Sequence, residues 1–512
     1  MISAISLLER IIARLEKPRF GFSMLGFVVV VLGVLRAWIE RLVFDIGLPD
    51  YATWAHLVAF FLCVFFSSCL ILSIATETKP LNVANAMVGV WWLTLLPPIV
   101  DRFVFGRTLP YGYEPADRFV VNVGTFFLNA SGVGKAILFE IAVFLLAAAL
   151  YVFVKTKSPA RSFIGAVSLY MVAAVTGTPG LLASSLDPGI GREVLQEDFY
   201  LNKAWLLCLS LFGATSLTIC FARQLACRLR HCLKALRLLP LISFTAILTI
   251  AYLAGLRNAS PHAEFSVSFP YWTPIAAIDL GLLLLAWLIG WQGIVIVNDV
   301  YDLDIDLISN PERPLPKKLT TVSRYRDFAI LFIAISLLLA AAVSWRTFIM
   351  FLLLLVILNL AYSAPPFRLK RTLLGAPLLI GLGSSILALT GYIAGGGKLT
   401  ERDFLIGIII GTCFGLGSVT KDLKDVDGDR LSGSLTVFTV LGRKAGKRIA
   451  TALAFFSAAL PIAAYPTWIN LLAFMLFALT IALAFDRTED MRYVFPLYFL
   501  EFSYIAFLTI RV

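Results

Sequence analysis

Charge is scarce in this chain. Only 15% of its 512 residues are charged and 59% are hydrophobic, whereas a soluble globular domain carries about a quarter of its residues as charges. That scarcity excludes a water-soluble fold. Histidine is nearly missing: the three residues at positions 56, 231 and 262 do not cluster, so no His-based zinc or haem site is expected. The seven cysteines form no Cys-x-x-Cys pair and lie mostly inside apolar runs, where they read as small hydrophobes. Cys227 and Cys232 border a basic loop, and for these acylation is the other reading. Low-complexity sequence is absent beyond Gly395-Gly396-Gly397, which reads as a turn. The net charge of +11 does not make a nucleic-acid surface. Its lysines and arginines sit in short loops that alternate along the chain, as the positive-inside rule requires, and no nucleic-acid partner is expected.

What the chain has in abundance is long apolar runs, each close to the ~20 residues that a bilayer core demands. Such segments satisfy their own backbone hydrogen bonds as helices, so the sequence predicts an all-α, polytopic membrane protein. Spans are predicted near 22–44, 55–75, 85–104, 136–154, 162–183 and 204–222, and then near 237–257, 274–297, 327–344, 347–363, 373–395, 404–420, 447–464, 468–485 and 494–510. Pro97, Pro98 and Pro179 interrupt two of them. Before the first span, Ile2, Ile5, Leu8, Ile12 and Leu15 recur at helical spacing among charged residues, the pattern of a helix lying on the membrane surface. Between the sixth and seventh spans runs a basic linker with Arg223, Arg228, Arg230, His231, Lys234 and Arg237. It divides the chain into residues 1–230, of unknown role, and 231–512. Counting fifteen spans puts the basic loops on one side, with the N-terminus in the cytoplasm and the C-terminus outside.

Against this background two stretches are rich in acid. One is Asn298-Asp299-Val300-Tyr301-Asp302-Leu303-Asp304-Ile305-Asp306; the other is Lys421-Asp422-Leu423-Lys424-Asp425-Val426-Asp427-Gly428-Asp429. Together they hold eight of the chain's 32 acidic residues. Each directly follows an apolar span, and both fall on the cytoplasmic side. As helical continuations, Asn298, Asp302 and Asp306 are four apart and Asp299 is three before Asp302; Asp425 and Asp429 are four apart and Asp422 is three before Asp425. Those spacings share a helix face. Crowded carboxylates repel one another unless a cation lies between them. Oxygen ligands of this kind suit Mg2+, which is held by a few carboxylates together with phosphate oxygens. Arg313, Lys317, Arg368, Lys370 and Lys421 lie close by in sequence to complete a diphosphate clamp. An EF-hand loop starting at Asp302 fails, because Leu307 stands where glycine is required and Arg313 where glutamate is. A merely solvated acidic loop leaves the helical phase and its recurrence unexplained.

Asn298-Asp299-x-x-Asp302-x-x-x-Asp306 resembles the first aspartate-rich motif of the UbiA superfamily of intramembrane prenyltransferases, and Asp425-x-x-x-Asp429 resembles the second. The run Asn310-Pro311-Glu312-Arg313-Pro314-Leu315-Pro316 is similar to the segment that follows the first motif. Tyr362-Ser363-Ala364-Pro365-Pro366-Phe367-Arg368-Leu369-Lys370 is similar to the family's basic loop between its fourth and fifth helices. The resemblance covers about 237–512. It implies a nine-helix UbiA-like bundle preceded by about six extra transmembrane helices. It also implies Mg2+-dependent transfer of a polyprenyl group from an allylic polyprenyl diphosphate to a lipid-soluble, aromatic or quinone-type acceptor in the bilayer. By the same resemblance, Asn298, Asp299, Asp302, Asp306, Asp422, Asp425 and Asp429 hold metal, with Asp299, Asp302, Asp425 and Asp429 the catalytic set. Arg313, Lys317, Arg368, Lys370 and Lys421 hold diphosphate, and Tyr301 and Tyr362 are candidates to stabilise the allylic cation through their rings. Two alternatives stay open: a terpene cyclase on the same fold, and a membrane transporter. The charged residues of the first half, Asp45, Glu77, Lys79, Asp101, Arg102 and Glu140, look scattered, and Tyr111, Tyr113, Glu114, Asp117 and Arg118 gather in an outside loop.

Overall fold

The structure, a computed structural model, describes residues 2–47, 51–111, 118–130, 132–178, 198–226, 237–259, 273–488 and 491–511. Cys227, Cys232, Arg228, Arg230, His231, Lys234, His262, Pro179, Tyr113, Glu114 and Asp117 lie outside them. Every regular element among the described residues is a helix. The chain divides into two compact units, Met1–Cys232 and Leu233–Val512.

The first unit contains α1 (Ile2–Leu15), α2 (Phe22–Phe44), α3 (Tyr51–Thr76), α4 (Pro80–Trp91), α5 (Pro97–Phe103), α6 (Phe119–Gly124), α7 (Lys135–Thr156), α8 (Pro159–Thr176) and α9 (Asp198–Gln224). The predicted span at 85–104 is realised as α4, a 3-10 turn and α5, because Pro97 and Pro98 start a new helix where their missing N–H groups cost nothing. Helix α3 is central and packs on α2, α8 and α9; the Ser67 and Ser216 hydroxyls bond at 2.9 Å between α3 and α9. Charges that look scattered in sequence meet here. Asp101 accepts from the Tyr111 hydroxyl at 2.8 Å and from the Ala136 N–H at 2.9 Å. Arg36 lies over the Tyr111 ring and 3.6 Å from Glu40.

The second unit contains α10 (Leu238–Ala259), α11 (Pro274–Tyr301), α12 (Leu303–Ser309), α13 (Val322–Val343), α14 (Trp345–Val356), α15 (Gly375–Ala394), α16 (Glu401–Ser418), α17 (Val426–Ser432), α18 (Val437–Ala459), α19 (Trp468–Thr488) and α20 (Met491–Arg511). Nine of these are long and two, α12 and α17, have seven residues each. Helix α10 touches α11, α15 and the last helix, α20, so the bundle closes on itself. Helices α15 and α16 approach backbone to backbone: a Cβ on Gly381 would stand 2.7 Å from the Gly411 carbonyl oxygen, the close crossing that small residues permit in membranes.

Over the whole chain, twelve described helices are long and apolar enough to cross a bilayer, with a shorter apolar helix over Trp345–Ala361. The sequence predicts fifteen. Helices α18 and α20 fall outside the twelve. The first carries Arg443, Lys444, Lys447 and Arg448 near its start, and the second carries Arg492, Glu501 and Arg511.

Candidate functional site

Helix α11 begins on Thr273, whose side chain accepts from the Ala276 N–H, with Pro274 at the first helical position. Its 28 residues rise about 42 Å, more than the ~30 Å hydrocarbon core, so its last turns reach the polar edge. There the first acid stretch begins. Asp302 breaks the helix at φ −105° and ψ 13°, yet the 1-to-5 hydrogen bonds run through the break: the Asp302 N–H donates to Asn298 at 2.9 Å and the Asp306 N–H to Asp302 at 2.8 Å. The four-residue repeat of Asn298, Asp302 and Asp306 therefore survives into α12. The second stretch runs as a 3-10 segment over Val419–Asp425 and then as α17. Residues three apart align in a 3-10 turn and four apart in an α-helix, so this change of winding keeps the Asp422, Asp425 and Asp429 positions together. Helix α12 packs against α17, which brings the C-terminal ends of the two acid stretches together. Of Asp425 only the backbone is described.

The first stretch is threaded with cations. Asp302 is held by Lys370 at 2.5 Å and Arg368 at 3.1 Å, and Lys370 also donates to the Asn298 side-chain oxygen at 2.8 Å. Arg371 pairs with Asp304 at 3.1 Å. Its carbonyl accepts from the Leu435 N–H at 2.8 Å, tying the basic loop to the chain just beyond α17. Asp306 is buried, paired with Arg313 and held by the Asn310 amide at 3.0 Å. Asp299 is 2% exposed; its Oδ1 accepts from Arg313 at 3.1 Å and Arg237 at 3.0 Å, and its Oδ2 from the Tyr325 hydroxyl at 3.4 Å.

Burial works against charge on Arg313, but the carboxylates of Asp299 and Asp306 outweigh it and hold its pKa above the usual value. Burial also pushes the Lys370 ammonium down to about 8, against the pull of Asp302.

The predicted residues do not all converge. Asn298, Asp302, Arg368 and Lys370 form one linked group, and Asp299, Asp306 and Arg313 form a second. Lys317 pairs instead with Glu312. Tyr362 lies under Lys370, 5.5 Å from ring centre to Nζ. Tyr301 has a 38% exposed side and offers its carbonyl to Arg368. Lys421, Asp422 and Asp429 are half-buried on the second stretch. Sequence reasoning missed Arg237, Asn310 and Tyr325. Arg237 is the last basic residue before an apolar span, and that position was the available signal.

Among the described residues no three acid, cysteine or histidine side chains form a ready-made metal cage, since the first stretch's carboxylates are turned to arginine and lysine. Their chemistry still fits Mg2+: oxygen donors only, on two stretches whose short helices touch. Deeper in the bundle the ring of Phe244 contacts Trp287, Trp291 and Phe414, and Phe414 contacts Phe502. A small apolar cleft borders Cys413, Phe414 and Phe502. Cys413 lies nine residues before Asp422, so this cleft is apart from the acids and suits hydrocarbon.

Residues 265–493 match the UbiA prenyltransferase family model. The chain is similar to the digeranylgeranylglyceryl phosphate synthase of Sulfolobus acidocaldarius, at 34% identity over 163 residues covering 32% of this chain and 57% of that protein. It is similar also to the enzyme of the same name from Thermococcus gammatolerans, at 30% identity over 192 residues covering 36% of this chain and 64% of the relative. It thus spans somewhat over half the length of these curated relatives. Among solved structures, a UbiA homologue from Archaeoglobus fulgidus bound to GPP and Mg2+ aligns at 19% identity and TM-score 0.41, covering 55% of this chain and all of that one. An apo UbiA homologue from Aeropyrum pernix aligns at 20% identity and TM-score 0.39, covering 53% and 97%. The match to the UbiA prenyltransferase family thus falls within the second unit of this chain.

Proposed function

We propose that the second unit transfers a polyprenyl group from an allylic polyprenyl diphosphate to a lipid-soluble acceptor within the bilayer, with Mg2+ as cofactor. The allylic C–O bond breaks and its electron pair leaves with diphosphate; the acceptor's nucleophile bonds to the freed carbon and gives up a proton. The observation that carries this reading is the packing of α12 on α17, with Arg368, Lys370 and Arg371 set against the first acid wall. Asn298, Asp302 and Asp306 on one side and Asp422, Asp425 and Asp429 on the other would hold Mg2+. When bound it neutralises charge building on the departing diphosphate. Arg313, Arg368, Lys370 and Lys421 would hold the diphosphate oxygens, and Tyr362 would lie beside the allylic carbon.

The names of the relatives favour a hydroxyl of a glyceryl phosphate lipid over a quinone-type ring as the nucleophile. The basic loops around Lys317, Arg368 and Arg443 support a cytoplasmic position for the site.

The test is the purified full chain with Mg2+, polyprenyl diphosphates of several lengths and a lipid extract. Diphosphate release and mass spectrometry of the products read the outcome. An ether-linked product supports the glyceryl reading and a ring-carbon adduct the quinone-type one. A hydrocarbon formed with no acceptor present means cyclisation. No diphosphate release with any donor sinks the proposal, and substrate flux in liposomes that survives Asp302→Ala would mark a transporter.

A further inference from the structure

We propose that Arg237 is a diphosphate-binding residue of this site and that Asp299 positions it, together with Arg313, and is not a metal ligand. The inference rests on the prenyl diphosphate reading above.

Four observations lead to it. First, both oxygens of Asp299 are held, and its two basic partners are guanidiniums, which cannot give up their charge. Its oxygens are engaged by Arg237, Arg313 and Tyr325, all within 3.4 Å. A metal would have to displace at least one of these donors. Second, Arg237 sits directly before α10 with φ +51°. A non-glycine residue in that left-handed region is held there at a cost, and such strain gathers at functional positions. Third, among the described residues the Arg237 guanidinium has one side-chain partner: Nη2 donates to Asp299, while its Nε–H is buried without an acceptor there. A guanidinium with one arm anchored and another N–H unpartnered has donor capacity left for a phosphate oxygen.

The fourth observation is charge balance. Asp299, Asp302, Asp304 and Asp306 are matched by Arg237, Arg313, Arg368, Lys370 and Arg371, four carboxylates against five cations. Divalent ions held by Asn298 and Asp302 would compete with Lys370 and Arg368 for the carboxylate and add positive charge to the cluster. A diphosphate restores the balance. Arg237 and Arg313, kept by Asp299, need not move to meet it.

The test uses the full chain in nanodiscs, with Mn2+ as the metal probe, read by its electron paramagnetic resonance, and inorganic pyrophosphate as the anion probe, read by calorimetry with Mg2+ present. In Arg237→Gln we expect Mn2+ binding as in the natural chain and pyrophosphate affinity lower by about tenfold or more, the loss of a hydrogen bond to a charged group. The donor KM should rise with kcat less affected. Arg237→Lys should recover part of the affinity, since it restores charge without the fork. Asp299→Asn should keep Mn2+ and weaken pyrophosphate, whereas Asp302→Asn should lose Mn2+. Pyrophosphate affinity unchanged in Arg237→Gln overturns the proposal, and so does loss of Mn2+ in a folded Asp299→Asn. If the natural chain itself binds neither probe, the prenyl diphosphate reading fails first. Should Asp299→Asn not fold, the two Arg237 variants still decide.

Discussion

Two aspartates three residues apart have different partners, and this decides what their removal does. Asp302 faces Lys370 and Arg368, and the Lys370 ammonium, pushed down to about 8 by burial, can shed its proton when the carboxylate is gone. Arg368 keeps the Tyr301 carbonyl and Asp304. Asp299 faces two guanidiniums that cannot deprotonate. We therefore expect Asp302→Ala to stop diphosphate release while the protein melts close to the natural chain. Asp299→Ala should cost about 3 kcal/mol, the low end for breaking a buried pair because both arginines keep some water contact. Thermal unfolding of the two variants in one detergent checks the contrast; equal melting would refute it. The acid spacing of Asn298, Asp302 and Asp306 is visible in the sequence because a helix turns four-residue intervals into one face. The separate surroundings of Asp299 are not, because they depend on Arg237, 62 residues away, and on Tyr325 from another helix.

Helices follow the same division between local and distant causes. The apolar lengths of α11, α13 and α15 and the caps at Thr273, Thr321 and Thr400 are local, so these elements are legible. The break at Asp302, the 3-10 winding of Val419–Asp425 and the contact of α12 with α17 are not, since packing between distant segments shapes them. Close helix crossings lie between these cases: Gly381, Gly411 and Gly415 are visible as small residues, but only the packed bundle makes them neighbours. A side chain at Gly381 has no room before the Gly411 carbonyl. We expect Gly381→Ala to lower stability by about 1–3 kcal/mol, the usual effect of overpacking, and Gly381→Leu to lower the yield of folded protein. Leu378→Ala, at an exposed position one turn away, is the control. Equal melting of Gly381→Ala and the natural chain would show that α15 and α16 can separate freely.

On the scale of the whole molecule, a cluster whose carboxylates are already balanced by basic residues should respond weakly to metal or anion alone. Metal alone must compete with Lys370 and Arg368 for Asp302; pyrophosphate alone must compete with the carboxylates for the same cations. Together each releases what the other needs. Ligands that bind only the folded state stabilise it by mass action, about 2.7 kcal/mol at a hundred times the dissociation constant. We therefore expect Mg2+ with pyrophosphate to raise the melting temperature by more than the sum of the two separate shifts. Amide exchange should slow at the end of α11, in α12 and α17 and in the 368–371 loop. Chelation should abolish both effects, and Asp302→Asn should abolish the synergy while leaving the baseline melt. Additive shifts in the natural chain would mean that metal and anion bind at unconnected places, and the two acid stretches would then lose their role in holding a diphosphate.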